Sequence, residues 1–254
     1  MLRKNAIDRH ATPNLTAANI YHPANPPGAY GLAVMRPTFT ALLREAGVAL
    51  DKKRILDLGC GTGSWMRFMA ELRSDPCDIV GVDCNHAPLA FAQRMSPRGM
   101  SYVQADMADA FKCFRAESFD LITAFVSFMF LRDMTEVTEL MRGVNRLVSE
   151  QGYFFISEVN ERHDSSKPYS GFRGTELARV ITATGFNLLA SRGVFKRFFG
   201  VPLLNSYYRV SYRNMFLMPL LERLLPGSAW YTFMLFRKAA SSSASREKAC
   251  HEPH

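Results

Sequence analysis

Asp57, the glycines at 59, 61 and 63, and Asp83 are the residues of this chain whose types and spacing could do chemistry together. The glycines alternate with Cys60 and Thr62, directly after the apolar stretch Ile55-Leu56-Asp57-Leu58 and directly before Ser64-Trp65-Met66-Arg67-Phe68-Met69, which opens a helical pattern. Residues without Cβ let the main chain turn sharply and let a ligand approach the backbone, and a helix start offers N–H donors with a partial positive charge. A nucleotide-like cofactor fits such a loop. Spacing selects among nucleotides, because the dinucleotide fingerprint sets its last two glycines three apart and rests a pyrophosphate on the helix N-terminus. Here the glycines stand two apart. Asp57, immediately before them, would repel a pyrophosphate but can accept hydrogen bonds from a ligand ammonium group. These two features oppose an NAD(P)-dependent oxidoreductase, the main alternative. Asp83 closes a second apolar run, Ile79-Val80-Gly81-Val82, at 20 residues beyond Gly63 (83 minus 63). An acid at that distance is placed to grip ribose hydroxyls.

The run Leu56-Asp57-Leu58-Gly59-Cys60-Gly61-Thr62-Gly63 resembles the first motif of the class I S-adenosylmethionine-dependent methyltransferases. The similarity covers roughly residues 52–192 and the last strand. It implies an α/β fold with a doubly wound, mostly parallel seven-stranded sheet, its seventh strand antiparallel and at the edge. It also implies S-adenosyl-L-methionine as methyl donor. Asp57 then faces the ammonium group over Gly59, Cys60, Gly61 and Gly63, and Asp83 with its neighbour Cys84 faces the ribose. The family's third motif places an acid after strand three to receive the adenine amino group, with the next residue on the ring; Asp106 and Met107 match it. Phe125 to Ser127 is expected beside the transferred methyl. In the family the segment before the first strand folds over the cofactor, which makes Tyr30 and Arg36 candidate contacts to its carboxylate. Without the resemblance they read as a packed tyrosine and a solvated arginine. One departure is Glu150-Gln151-Gly152, where many relatives carry a Pro-Gly-Gly turn.

Strands alternating with helical patterns are needed to bring these residues to one edge. Apolar residues at helical spacing from Val34 through Ala46 predict a helix that Gly47 ends. Trp65, Phe68, Met69 and Leu72 give the helix after the glycine loop one apolar face. Tyr102 to Ala105 and the continuous apolar run Phe119 to Phe125 read as strands three and four, the latter covered on both faces. Asp133 with Glu136 predicts a helix-opening box. Tyr153 to Ser157 is strand five, delivering Glu158, Asn160, Arg162 and His163 to the edge that carries Asp57 and Asp83. Thr175 to Thr184 is a helix closed by Gly185, Phe186 to Ser191 is strand six, and Trp230 to Phe236 is the last strand. The alternation predicts a doubly wound sheet. The resulting organisation is an N-terminal arm (1–33), a cofactor-binding domain (34–238) with a helical insertion (193–228), and a disordered tail (239–254).

Composition sets the outer bounds. Hydrophobic residues make up 48% of the 254 and charged residues 21%, ordinary globular usage. A net charge of +8 favours anionic partners. Part of it lies in the insertion: from Arg192 to Leu225, six basic residues against Glu222 give +5. That segment, with Phe198-Phe199, Tyr207-Tyr208 and Met215 to Leu221, reads as a packed elaboration, a lid over an apolar substrate, or a surface on anionic lipid. The five cysteines, at 60, 77, 84, 113 and 250, have no C-x-x-C spacing, which disfavours zinc and a disulfide framework. Met1 to Asn19 carries Arg3, Lys4 and Arg9 but no apolar core of a signal peptide, so the expected setting is cytoplasmic, with peripheral membrane contact through 193–228 as an option. Methyl transfer from a sulfonium is an in-line displacement that positioning and dryness promote, and no metal is expected. A hydroxyl nucleophile gains from a general base, for which His163 is the candidate. The acceptor is expected to be a small or lipid-like molecule, more readily methylated at oxygen. Nucleic acid fits only the net charge. A binding protein without chemistry, acting through the insertion, is the third alternative.

Overall fold

The computed structural model describes residues 26–73, 78–164, 166, 171–198, 220, 223–224 and 226–240. Most of the expected arm and tail, the bulk of the insertion, the Tyr30 side chain, Cys77 and Cys250 lie outside the described residues. In chain order the elements are α1 (Pro26–Glu45), β1 (Ile55–Leu58), α2 (Ser64–Glu71), β2 (Ile79–Asp83), α3 (His86–Met95), β3 (Ser101–Gln104), α4 (Ala110–Cys113) and β4 (Phe119–Phe125). A 3-10 turn (Phe128–Phe130), α5 (Met134–Leu147), β5 (Val148–Val159), α6 (Gly174–Ala183), β6 (Phe186–Phe198) and β7 (Gly227–Lys238) follow.

The sheet has seven strands in the order β3-β2-β1-β4-β5-β7-β6. β1 to β5 run parallel, with Asp57 opposite Gly81 on one side and Thr123 on the other. β7 is antiparallel to both β5 and β6. The expectation of β7 at the edge is therefore corrected: it lies inside the sheet and β6 forms the edge. Burial explains the order. Phe233, Met234, Leu235 and Phe236 are at most 1% exposed, so both faces of β7 are covered. β6 instead carries exposed Asn187, Ser191 and Arg192, and a bulge between Leu188 and Ala190, features that suit an edge.

Strand alternation divides the interior into two cores. One packs Phe39, Leu42, Trp65, Phe68, Phe155 and Phe233 between the sheet and the α1/α2 side. The other packs Val137, Leu140, Val144, Phe154, Ile156, Leu177 and Ile181 on the α5/α6 side. The predicted box at the start of α5 forms: Asp133 accepts hydrogen bonds from the Thr135 and Glu136 amides at 2.8 and 3.0 Å. Glu136 reaches one residue further back, accepting from the Arg132 amide at 2.7 Å.

Several boundaries differ from the sequence reading; β5 starts at Val148, where Tyr153 was expected. α1 begins at Pro26, eight residues before the apolar periodicity, and buries Leu32. Gly193 to Phe198 and Gly227 to Ser228, expected in the insertion, are paired β-strand. Backbone pairing with β7 continues through this stretch on both sides of Phe195, which has a left-handed φ of 56°. Of the expected helical insertion, Leu220, Arg223 and Leu224 are helical, and the remainder lies outside the described residues.

Candidate functional site

Gly59, Gly61 and Gly63 all take left-handed backbone, with φ of 73°, 52° and 70°. Each glycine answers a different constraint. A Cβ on Gly59 would stand 2.5 Å from Ser127 Cβ, and one on Gly63 would stand 2.8 Å from the Tyr102 hydroxyl. A Cβ on Gly61 would meet no protein atom within 4 Å. The middle glycine therefore faces open space, and its neighbours allow the loop to pack against β4 and β3. Most of the loop amides are engaged within the protein. Gly59 and Cys60 donate to the Val82 carbonyl at 2.8 and 3.0 Å, Gly63 to the Cys60 carbonyl at 2.9 Å, and Gly61 to Asp83 Oδ2 at 2.9 Å.

Behind the loop, Asp57 is 1% exposed on β1. Thr123 donates to its Oδ1 at 2.6 Å, across the β1–β4 register. Burial raises the Asp57 carboxyl to about 7, against the Thr123 hydrogen bond, and the charge of Asp83 adds to the rise. A buried acid so poised gains its charge when a cation comes beside it. Asp83 ends β2, and its second oxygen accepts from the Asn85 amide at 2.8 Å. It thus clamps the glycine loop to the β2–α3 turn, and each carboxylate oxygen can take more than one donor. Asp106 accepts from the Ala108 amide at 2.8 Å, which shapes the turn after β3. Met107 follows it, half-buried, its Sδ 3.8 Å from where a Gly59 Cβ would be.

Burial pushes the Cys60 thiol far above its usual range and the Cys84 thiol up to about 11. Neither is a nucleophile near neutrality. Phe125 is half-buried at the end of β4, its ring stacked on Trp65 at 4.1 Å. Arg36 pairs with Glu71 at 3.3 Å, its guanidinium 4.7 Å from the Phe68 ring centre.

The residues at and beyond the end of β5 divide. Asn160 is committed to structure, donating to the Ala229 carbonyl at 3.2 Å and accepting from the Gly174 amide at 3.0 Å. Arg162 is exposed. The His163 ring stacks on Phe172 at 4.4 Å, and its Nε2 contacts the Arg132 carbonyl. Phe172 belongs to the α5/α6 core, whereas Trp65 and Phe125 belong to or pack against the α1/α2 core. Glu158 is 1% exposed, accepts from the Val159 and Met129 amides at 2.8 and 3.0 Å, and is raised by burial to about 8. Among the described residues no group of three or more His, Cys, Asp or Glu could hold a metal ion, and no helix is long and apolar enough to cross a membrane. Thr123 and Ser127 as neighbours of Asp57 and Gly59 were not legible as such. The partners of Thr123 and Ser127 are 66 and 68 positions away in the chain and are set by strand register.

Solved structures of similar shape include an S-adenosylmethionine-dependent methyltransferase from Mesorhizobium loti at 19% identity and TM-score 0.55, matching over 80% of this chain and 96% of that one. Another from Archaeoglobus fulgidus matches at 18% identity and TM-score 0.55, over 83% and 98%. The cyclase SpnF matches at 17% identity and TM-score 0.57, over 81% and 82%, so the shape alone leaves the chemistry undecided. No curated protein sequence matches. The family described as Methyltransferase domain matches residues 50–188, from the approach to β1 to the first residues of β6. That span is more than half of the chain and contains the glycine loop with Asp57, Asp83 and Asp106. The chain therefore belongs to the methyltransferase-domain family of S-adenosylmethionine-dependent enzymes.

Proposed function

We propose that the protein transfers the methyl group of S-adenosylmethionine to a small-molecule or lipid-like acceptor, at oxygen in preference to nitrogen. The observation that carries the donor-binding part is the open space over left-handed Gly61 with Asp57 buried behind it, its carboxyl raised to about 7. In this reading Asp57 takes the ligand ammonium over Gly59, Cys60, Gly61 and Gly63, and Asp83 with Cys84 lies along the ribose. Asp106 and Met107 receive the adenine, and Phe125 borders the methyl. The bound donor supplies an electrophilic methyl on a sulfonium. The protein's work is to align an acceptor in line with that methyl and keep water out, which the Trp65–Phe125 stack favours. His163 is the proposed base for a hydroxyl acceptor. The setting is cytoplasmic, and the reading includes contact with an anionic membrane through 193–228, on the strength of that segment's net charge of +4, five basic residues against Glu222.

Calorimetry tests the donor first. S-adenosylhomocysteine is expected to bind and NAD is not, and the opposite result overturns the proposal. Incubation with labelled donor and a cell extract tests the acceptor. Label is expected in an extractable small molecule or lipid as a methyl ether or ester, and label confined to RNA or protein sinks this part. His163→Ala that leaves turnover with the true acceptor unchanged removes the proposed base. Co-sedimentation with phosphatidylserine vesicles tests the membrane contact, which absence of binding at low salt excludes.

A further inference from the structure

The chain leaves β4 through a strained elbow. Val126 has φ 52°, a left-handed backbone that a β-branched residue takes only when its surroundings impose it. Two groups of β5 impose it here. The Ser157 carbonyl accepts from the Val126 amide at 2.7 Å, and the Glu158 carboxylate accepts from the Met129 amide at 3.0 Å. Ser127, between these two anchored residues, is turned onto the glycine loop: Cβ and Oγ stand 2.5 and 3.3 Å from where a Cβ on Gly59 would lie. Ser127 is 3% exposed and its hydroxyl is buried without a hydrogen-bond partner. Burying an unpaired hydroxyl is unfavourable. Here the fold does so beside the loop that Asp57 precedes by two residues, and it spends backbone strain to hold it there.

Resting on the donor assignment above, we infer that Ser127 is a donor-binding residue whose hydroxyl hydrogen-bonds the amino-acid end of S-adenosylmethionine. Asp57 takes the ammonium of that end, and the Ser127 hydroxyl donates to its carboxylate. The Val126 amide, the Ser157 carbonyl and the Glu158 carboxylate position Ser127.

The test compares two ligands. S-adenosylhomocysteine and 5′-methylthioadenosine share the adenosine and the thioether, but only the first has an amino-acid end. Ser127→Ala is expected to weaken S-adenosylhomocysteine roughly tenfold, the loss of one hydrogen bond to a charged group, and to leave methylthioadenosine binding unchanged. The ligand-free melting temperature of Ser127→Ala is expected to stay level or rise, because an unpaired buried hydroxyl has been removed. Undiminished S-adenosylhomocysteine binding by Ser127→Ala overturns the inference, as does an equal loss for both ligands, which would place the hydroxyl on the adenosine. Failure of the underlying assignment looks different: the unaltered protein then binds neither ligand.

Discussion

Asp57 is buried against a single hydroxyl, and the cost of ionising it there makes its proton sensitive to whatever occupies the open space over Gly61. In the ligand-free protein the carboxyl is largely protonated below about 7. A cationic ligand prefers the charged form, so binding must displace the proton, and affinity for S-adenosylhomocysteine is expected to rise with pH. The expected gain approaches tenfold per unit below about 7 and levels off above it. Asp57→Asn should flatten this profile and hold affinity at or below the acid-side value. Calorimetry at pH 5.5 to 8 checks both, and a pH-independent affinity in the unaltered protein counts against Asp57 as the ammonium partner. Gly61→Val separates fold from binding. Its side chain meets no protein atom but must adopt φ near 52°, at a cost on the order of 1–2 kcal/mol. The variant is expected to fold, melt a few degrees lower and lose S-adenosylhomocysteine binding, since its branches fill the open space.

Helix α5 shows how an element is held. Asp133 satisfies two amides at its start, and Asp133→Ala should cost about 1 kcal/mol, or ~2–4 °C in melting temperature for a chain of this size. Further along, Gly143 packs directly on the Phe111 ring, where an added Cβ would come within 2.2 Å. Gly143→Ala is therefore expected to destabilise by about 1–3 kcal/mol despite its higher helix propensity, because α4 must shift away. A melting temperature equal to or above that of the parent would show that this contact yields without strain. The sequence signals behind the two features differ in kind. The Asp133-x-x-Glu136 spacing announced its cap, since a box is local to one turn. Nothing near Gly143 announced Phe111, which lies 32 positions earlier in the chain and meets it only after α4 and α5 have packed.

For the molecule as a whole, two acids buried on opposite faces of the sheet tie stability to pH. Burial raises Asp57 from 3.8 to about 7 and Glu158 from 4.5 to about 8. Between those limits the folded chain binds more protons at these groups than the unfolded chain, so their contribution is complete below the lower values and is lost as pH rises through the upper ones. The ligand-free protein is expected to melt lower at pH 9 than at pH 6, and Glu158→Gln should shrink that difference. Scanning calorimetry at the two pH values decides the matter, and an identical drop in the variant removes Glu158 from the account. By itself the sequence determined the alternation of strands and helices, the glycine loop and the acids at strand ends, because periodicity, glycine spacing and the chemistry of a lone acid before a loop are properties of short segments. Only the tertiary structure decided that β7 enters between β5 and β6, that Thr123 pairs with Asp57, and that the elbow at Val126 presses Ser127 onto Gly59. Each of these contacts joins residues far apart in the chain, and strand register with two-sided burial selects them after local structure has formed.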